Sequence, residues 1–264
     1  MKFFFVFFFI CLKFTYSQNN DSIIDCGKVI KIPIILHLVP SKSHPYITQI
    51  ITNKRIDEEI EELCNNFTGK NDISSLDPKF KELIGIPNII FYLSDTILVQ
   101  QEKKGIIRYT KPLNKNQLKL IKPEKNLNLL IGDWGSSSSV LEENTIPKSV
   151  KINYVSIMTE NSQTITHEVG HYLGLWHVWG ASNCRKIKYP WDIKTDYISD
   201  TPEQKNCTDL SRKKECTLLN NEQTPNYNNF MDYSSCRCFF TIEQAEVMRS
   251  KIIKYRRNLF ENSI

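Results

Sequence analysis

Past its first residues, this 264-residue chain has no apolar run approaching the roughly 20 residues a membrane helix needs, so the mature product is expected to be soluble. It also lacks a concentrated basic stripe. The formal charge is only +5, and the clusters Arg212-Lys213-Lys214 and Arg256-Arg257 are short, which argues against a nucleic-acid groove. Internal repeats and low-complexity linkers are absent, so one domain in two sub-parts is the economical reading. No cysteine spacing matches a four-thiolate metal site. Histidine is scarce, with five in the chain, yet three of them fall within residues 167–177.

The beginning and the cysteines indicate the compartment. Met1-Lys2 followed by the apolar run Phe3 to Leu12 is too short for a membrane span, and polar residues follow it. Residues 1–17 therefore read as a secretory signal, with a short N-terminal segment over 18–31 and one catalytic-size domain over 32–264. Without Lys2 and Lys13 the charge is +3. Cys11 leaves with the signal, and the seven remaining cysteines of an exported protein argue for disulfides with at least one thiol left over. Sequons at Asn20, Asn66 and Asn206 are candidate glycosylation sites on that route.

Element signals divide the chain at Gly174 into an upper part, 32–174, and a lower part, 175–264. In the upper part Ile32 to Val39 reads as a strand. Thr52 then precedes Ile56, Ile60, Leu63, Cys64 and Phe67, one face of an amphipathic helix. Ile89–Leu93, Gly105–Tyr109, Leu127–Ile131 and Ile152–Ile157 read as further strands, giving an α+β half with a mixed sheet. The lower part holds five of the mature cysteines and little periodicity, as expected of loops held by covalent links. It closes with a helix that opens on a Thr241…Gln244 capping box and buries Ile242, Ala245, Met248, Ile252 and Tyr255.

Residues 167–177 read His-Glu-Val-Gly-His-Tyr-Leu-Gly-Leu-Trp-His, which is H-E-x-x-H-x-x-G-x-x-H without a break. Helix positions four apart share a face, so His167 and His171 can hold one zinc ion. Glu168 lies beside them and is placed to take a proton from water at the metal. A helix continued through residue 177 would carry His177 out of reach. The chain must therefore turn, and Gly174 is where it can, since glycine accepts a positive φ at no steric cost.

Met231, within Asn229-Phe230-Met231-Asp232-Tyr233-Ser234, completes the set. The long motif with this methionine resembles the metzincins, and the Met231 turn would form an apolar floor under the imidazoles. The stretch Thr166–His177, then Asp196-Tyr197-Ile198-Ser199-Asp200-Thr201-Pro202, then Phe230-Met231-Asp232-Tyr233 is similar to the pappalysin branch. The resemblance implies a secreted zinc endopeptidase acting on protein or peptide substrates, with its cleft between the two sub-parts. It implies Tyr233 as an oxyanion donor, disulfides Cys184–Cys216 and Cys207–Cys236, and structural calcium on Asp196, Asp200 and Thr201. Two departures stand out. The short 18–31 segment leaves latency to Cys26, through its thiolate at the zinc, unless that cysteine pairs with Cys64 or Cys238. Some relatives select basic side chains after the cut bond with an acid where this chain has Ser235. Two other readings are a non-catalytic secreted binding module that keeps the zinc fold for shape, and another metzincin branch with the same chemistry. Glu168 argues against the first, because a binding module has no need of a base.

Overall fold

The computed structural model describes residues 28–95, 103–113, 117–135, 137, 148–180, 195–204, 207–208 and 225–260. The expected signal, Cys26, Cys184, Cys216, Asn20 and Asn206 lie outside them.

Nearly every residue of strand β1 (Ile30–Leu38) is buried, as a central parallel strand requires, because both its faces are covered. One edge of β1 pairs with β3 (Ile89–Leu93) through Ile30 to Ile34, and with β4 (Ile106–Arg108) through Leu36 to Leu38. Its other edge pairs with β5 (Leu127–Gly132), which pairs in turn with β6 (Ser149–Asn153). All these pairings are parallel, and the order is β3-β1-β5-β6 with β4 also on β1. A separate antiparallel pair joins β2 (Ile84–Gly85) to β7 (Phe240–Thr241), tying the first part of the chain to the last.

Three helices fix the layers. Helix α2 (Asn53–Thr68) starts where the Thr52 hydroxyl accepts from Arg55 N–H at 3.1 Å, and it stops at left-handed Gly69. Its buried face carries Ile56, Leu63 and Phe67, as the spacing predicts, and Phe67 packs edge-on against Phe91 of β3. Full burial of each such side chain stabilises the fold by about 1.5–3 kcal/mol. Helix α4 (Thr164–Tyr172) lies on β6, and α5 (Ile242–Tyr255) closes the chain beside β2, with the expected Thr241–Gln244 capping box in place. Two short helices, α1 (Ile47–Ile50) and α6 (Arg257–Phe260), and a 3₁₀ turn at Pro78–Leu83 complete the described elements together with α3 below.

Some expectations need correction. Ile152–Ile157 is not one strand: Asn153 accepts from Val155 N–H at 2.9 Å and caps a short helix, α3 (Tyr154–Met158). Helix α5 buries Gln244, Ala245, Met248, Arg249 and Ile252, whereas Ile242 and Tyr255 are 44% and 49% exposed. The face is rotated because Gln244 is drawn inward by Asn229, whose Nδ2 donates to its Oε1 at 2.8 Å. Asn66 is not available to a glycan. It is buried in α2, and its Nδ2 donates to Gln163 Oε1 at 2.8 Å and Thr166 Oγ1 at 2.7 Å.

Candidate active site

Helix α4 carries the first half of the motif. Its last turn closes with Leu173 N–H on the Val169 carbonyl, and Gly174 follows at φ +101°, the left-handed turn expected there. A Cβ at Gly174 would also sit 2.8 Å from Lys251 Cγ, so the position is closed to larger residues by space as well as by torsion. The turn brings His177 back onto His167 and His171, and the ligand nitrogens of all three lie within 4.8 Å of one another.

Proton positions follow from the hydrogen bonds. His167 Nδ1 lies 2.8 Å from the Phe230 carbonyl and His171 Nδ1 lies 2.7 Å from the Leu175 carbonyl. A carbonyl can only accept, so each Nδ1 carries the proton and each neutral ring turns a bare Nε2 lone pair inward. Those lone pairs converge: His171 Nε2 is 3.1 Å from both His167 Nε2 and His177 Nε2. Burial, the largest cause, holds His171 down to about 4 and His167 and His177 well below the ordinary histidine range. The rings are thus neutral at pH 7, and facing lone pairs repel unless a Lewis acid lies between them. Ligands about 2.0–2.1 Å from a tetrahedral zinc stand roughly 3.3 Å apart, so the donor set fits that ion.

The floor and walls come from distant sequence. Met231 is fully buried beneath α4. A Cβ placed on Gly170 would meet Met231 Sδ at 2.5 Å, so the variable position before His171 must be small for this floor to fit. Trp179 stacks on the His177 ring at 4.4 Å and 8°. The Tyr233 ring lies 5.4 Å from that of His167 and 5.0 Å from that of His177. Glu168 is buried, and its charge acts on both Tyr233 and Arg237. Burial first, and then the Glu168 charge, raise the Tyr233 pKa, so its hydroxyl keeps its proton and remains a donor. Neither Gly170 nor Arg237 stands out in the sequence. The glycine could be found only by knowing that Met231 lies over it.

The other site residues fall as follows. Asp196 Oδ2, Asp200 Oδ1 and Thr201 Oγ1 are all shut off from solvent without a hydrogen-bond partner of normal geometry. Burial pushes the Asp196 carboxyl up to about 7. The segment is fastened to α5 by Glu243 N–H, which donates to Asp200 Oδ2 at 2.9 Å, and by Ser199 N–H, which donates to Glu243 Oε2 at 2.9 Å. Cys207 and Cys236 are both disulfide-bonded. Cys64 and Cys238 carry free thiols, and Cys64 donates to the Phe91 carbonyl at 3.2 Å; the pairing of Cys26 lies outside the described residues. Ser235 is exposed.

Known proteins resemble this chain in sequence and in fold. The family model Peptidase_M43, described as pregnancy-associated plasma protein-A, matches residues 133–253. An extracellular metalloprotease of Aspergillus fumigatus is 34% identical over 96 residues, which are 36% of this chain and 28% of that relative, so the match spans little more than a quarter of its length. Mature mirolysin of Tannerella forsythia, solved with a cleaved peptide, superposes with a TM-score of 0.68 at 24% identity, covering 90% of this chain and 97% of that one. Mirolysin in complex with a small compound gives a TM-score of 0.70 at 25% identity, with the same coverage. By sequence over residues 133–253 and by fold over most of its length, the chain is similar to the pappalysin-type metalloproteases.

Proposed function

We propose that this chain is a secreted zinc endopeptidase, hydrolysing peptide bonds with water and using Glu168 as general base. The observation that carries the reading is the convergence of three imidazole Nε2 atoms, those of His167 and His171 bare lone pairs, next to a buried glutamate. His167, His171 and His177 would hold the ion. Bound there, zinc supplies a Lewis acid that acidifies water and polarises a carbonyl. Glu168 takes the proton of the attacking water and hands it to the leaving amine, a role worth about 10²–10⁴ in rate. Tyr233 keeps its proton and can donate to the oxyanion as charge develops. The Trp179 ring holds His177 flat against it, and Met231 closes the site from below.

The wider assignments belong to the same proposal. Mirolysin bound to a cleaved peptide supports peptide substrates, and the fungal relative named as extracellular supports export through a 1–17 signal. Among the described residues no helix is long and apolar enough to cross a membrane. The division at Gly174, the pairings Cys207–Cys236 and Cys184–Cys216, and glycans on Asn20 and Asn206 fit that route. Calcium on Asp196, Asp200 and Thr201 is the finer part of the proposal, on the ground that each offers a buried hard oxygen without a hydrogen-bond partner of normal geometry. If protein stripped by a chelator regains activity with zinc alone, calcium has no part.

Wild type and Glu168→Ala are to be compared on a mixed peptide library, with bound zinc measured in both. Cleavage by the wild type and a loss of about 10² or more in the variant, with zinc kept, is expected. Equal cleavage removes Glu168 as the base. No cleavage by either, with zinc bound, favours the non-catalytic binding module. Tyr233→Phe is expected to lower turnover by about 10–100-fold without loss of zinc; unchanged turnover removes that role.

A further inference from the structure

Arg237 lies four residues beyond Tyr233, and its guanidinium reaches in two directions. Nη1 donates to the Asp232 carbonyl at 3.2 Å and Nη2 donates to the Ser162 carbonyl at 3.0 Å. Asp232 stands between Met231 and Tyr233. Ser162 stands just before Gln163, the left-handed residue (φ 52°) from which α4 starts. One side chain thus joins the turn beneath the histidines to the root of the helix that carries two of them. Nε is shielded from solvent and has no hydrogen-bond partner. Desolvation brings the guanidinium down to about 10, which leaves it charged at neutral pH, and its field is felt at Glu168, Tyr233 and His167.

A charged group taken out of water needs a return for its desolvation. Here the return is two carbonyl dipoles held by a planar fork, a geometry that lysine, as a point charge, cannot reproduce. The tethered turn also supplies the Phe230 carbonyl that orients His167. Partners of this kind, one layer behind the ligands, change metal affinity by about 10–100-fold when lost.

We propose that Arg237 is a positioning residue: its two-carbonyl clamp locks the Met231–Tyr233 turn against the start of α4, and so sets the floor under the histidines and the place of Tyr233 relative to Glu168. The effect on turnover rests on the protease reading above, whereas the effect on the metal site does not.

The test uses the full chain loaded with zinc and two readouts: the rate of zinc transfer to excess chelator, and kcat and KM on a cleaved peptide. Arg237→Ala is expected to release zinc about 10-fold faster or more, and to lose about 10–100-fold in kcat with KM within about twofold. Added guanidinium ions should restore part of both, because Arg237 lines a cleft of about 560 Å³ through which they can enter. Arg237→Lys keeps the charge without the fork and should recover less than the wild-type value. Arg55 is the control. It also donates to a backbone carbonyl, that of Ile157 at 2.7 Å, but from α2. Arg55→Ala should lower the thermal midpoint while leaving zinc release and kcat unchanged. If Arg237→Ala fails to fold, Arg237→Gln, which keeps a donor for one carbonyl, carries the same measurements. A lowered midpoint with wild-type zinc release would overturn the proposal and make Arg237 a merely structural residue. Wild-type protein that cleaves nothing would sink the protease reading alone, since zinc release still decides the clamp.

Discussion

The sheet-bearing half and the loops around Met231 are held together by different physics. The sheet half is apolar: Ile32, Ile34, Leu38, Ile56, Phe67 and Ile131 are fully buried, and its layers follow from hydrophobic periodicity. Beside Phe230, Met231 and Phe240, the loop half also buries amides and a carboxylate, with Gln204, Asn226, Asn228, Asn229, Asp232 and Gln244 all at 0% exposure. All six make side-chain hydrogen bonds, although Asn226 Oδ1 has no partner. Asp232 Oδ1 accepts from Gln204 Nε2 at 3.1 Å and from Thr208 N–H at 3.2 Å, while Oδ2 accepts from the Thr208 hydroxyl. Asn229 Oδ1 accepts from Met231 N–H at 2.9 Å and so sets the turn that carries the methionine. A network of this kind specifies one conformation when every member is satisfied, and it becomes costly once one is removed. The metal floor rests on the polar half and the metal helix on the apolar half.

The largest way to break that comparison is Asp232→Ala. It strands the Thr208 and Gln204 donors in a dry site, and about 3–5 kcal/mol should be lost in urea unfolding. Asp232→Asn should cost less, because it keeps one acceptor. An apolar Asp232→Leu that proved neutral would show that the loop half is held by burial like the sheet half.

The next effect lies where the halves touch. Gly170→Ala sets a methyl against Met231 Sδ and should cost roughly 1–3 kcal/mol. In a Met231→Ala background the same change should cost almost nothing, and a double-mutant cycle reads the difference. Equal costs in both backgrounds would detach the helix from the floor.

An effect of similar size, seen only as a change with pH, sharpens the sheet side, where a buried charge is the exception. Glu59, paired with Arg55 on α2, is pushed up to about 7, mainly by burial. A raised carboxyl binds its proton more tightly in the folded state. Its contribution is therefore full below about 4.5 and is lost as pH rises to about 7. Between those pH values the wild type should lose roughly 1–3 kcal/mol more stability than Glu59→Gln. Parallel curves for the two proteins would contradict that assignment.

These contrasts also explain what the sequence reveals and what it hides. The strand at Ile32–Val39, the α2 face and the Thr241 capping box are local patterns, and each appears in the structure within a residue or two. The histidine motif is legible for the same reason: its spacing encodes a helix followed by a left-handed turn, and Gly174 takes that turn. Gly170 and Arg237 are not legible, because their importance comes from Met231 and Ser162, more than 60 residues away. The Asn66 sequon misleads for the converse reason, a local triplet overridden by tertiary hydrogen bonds. Helix α5 shows the polar half intruding on a hydrophobic reading, since Gln244 faces inward where Ile242 was expected.

The most direct test is the zinc content of folded, desalted protein. About one zinc per chain is expected in the wild type and in Glu168→Ala, and essentially none in His171→Ala, whose Nε2 faces both other ligands at 3.1 Å. Folded wild type that retains no zinc after loading, or His171→Ala that retains it fully, would contradict the three-histidine centre.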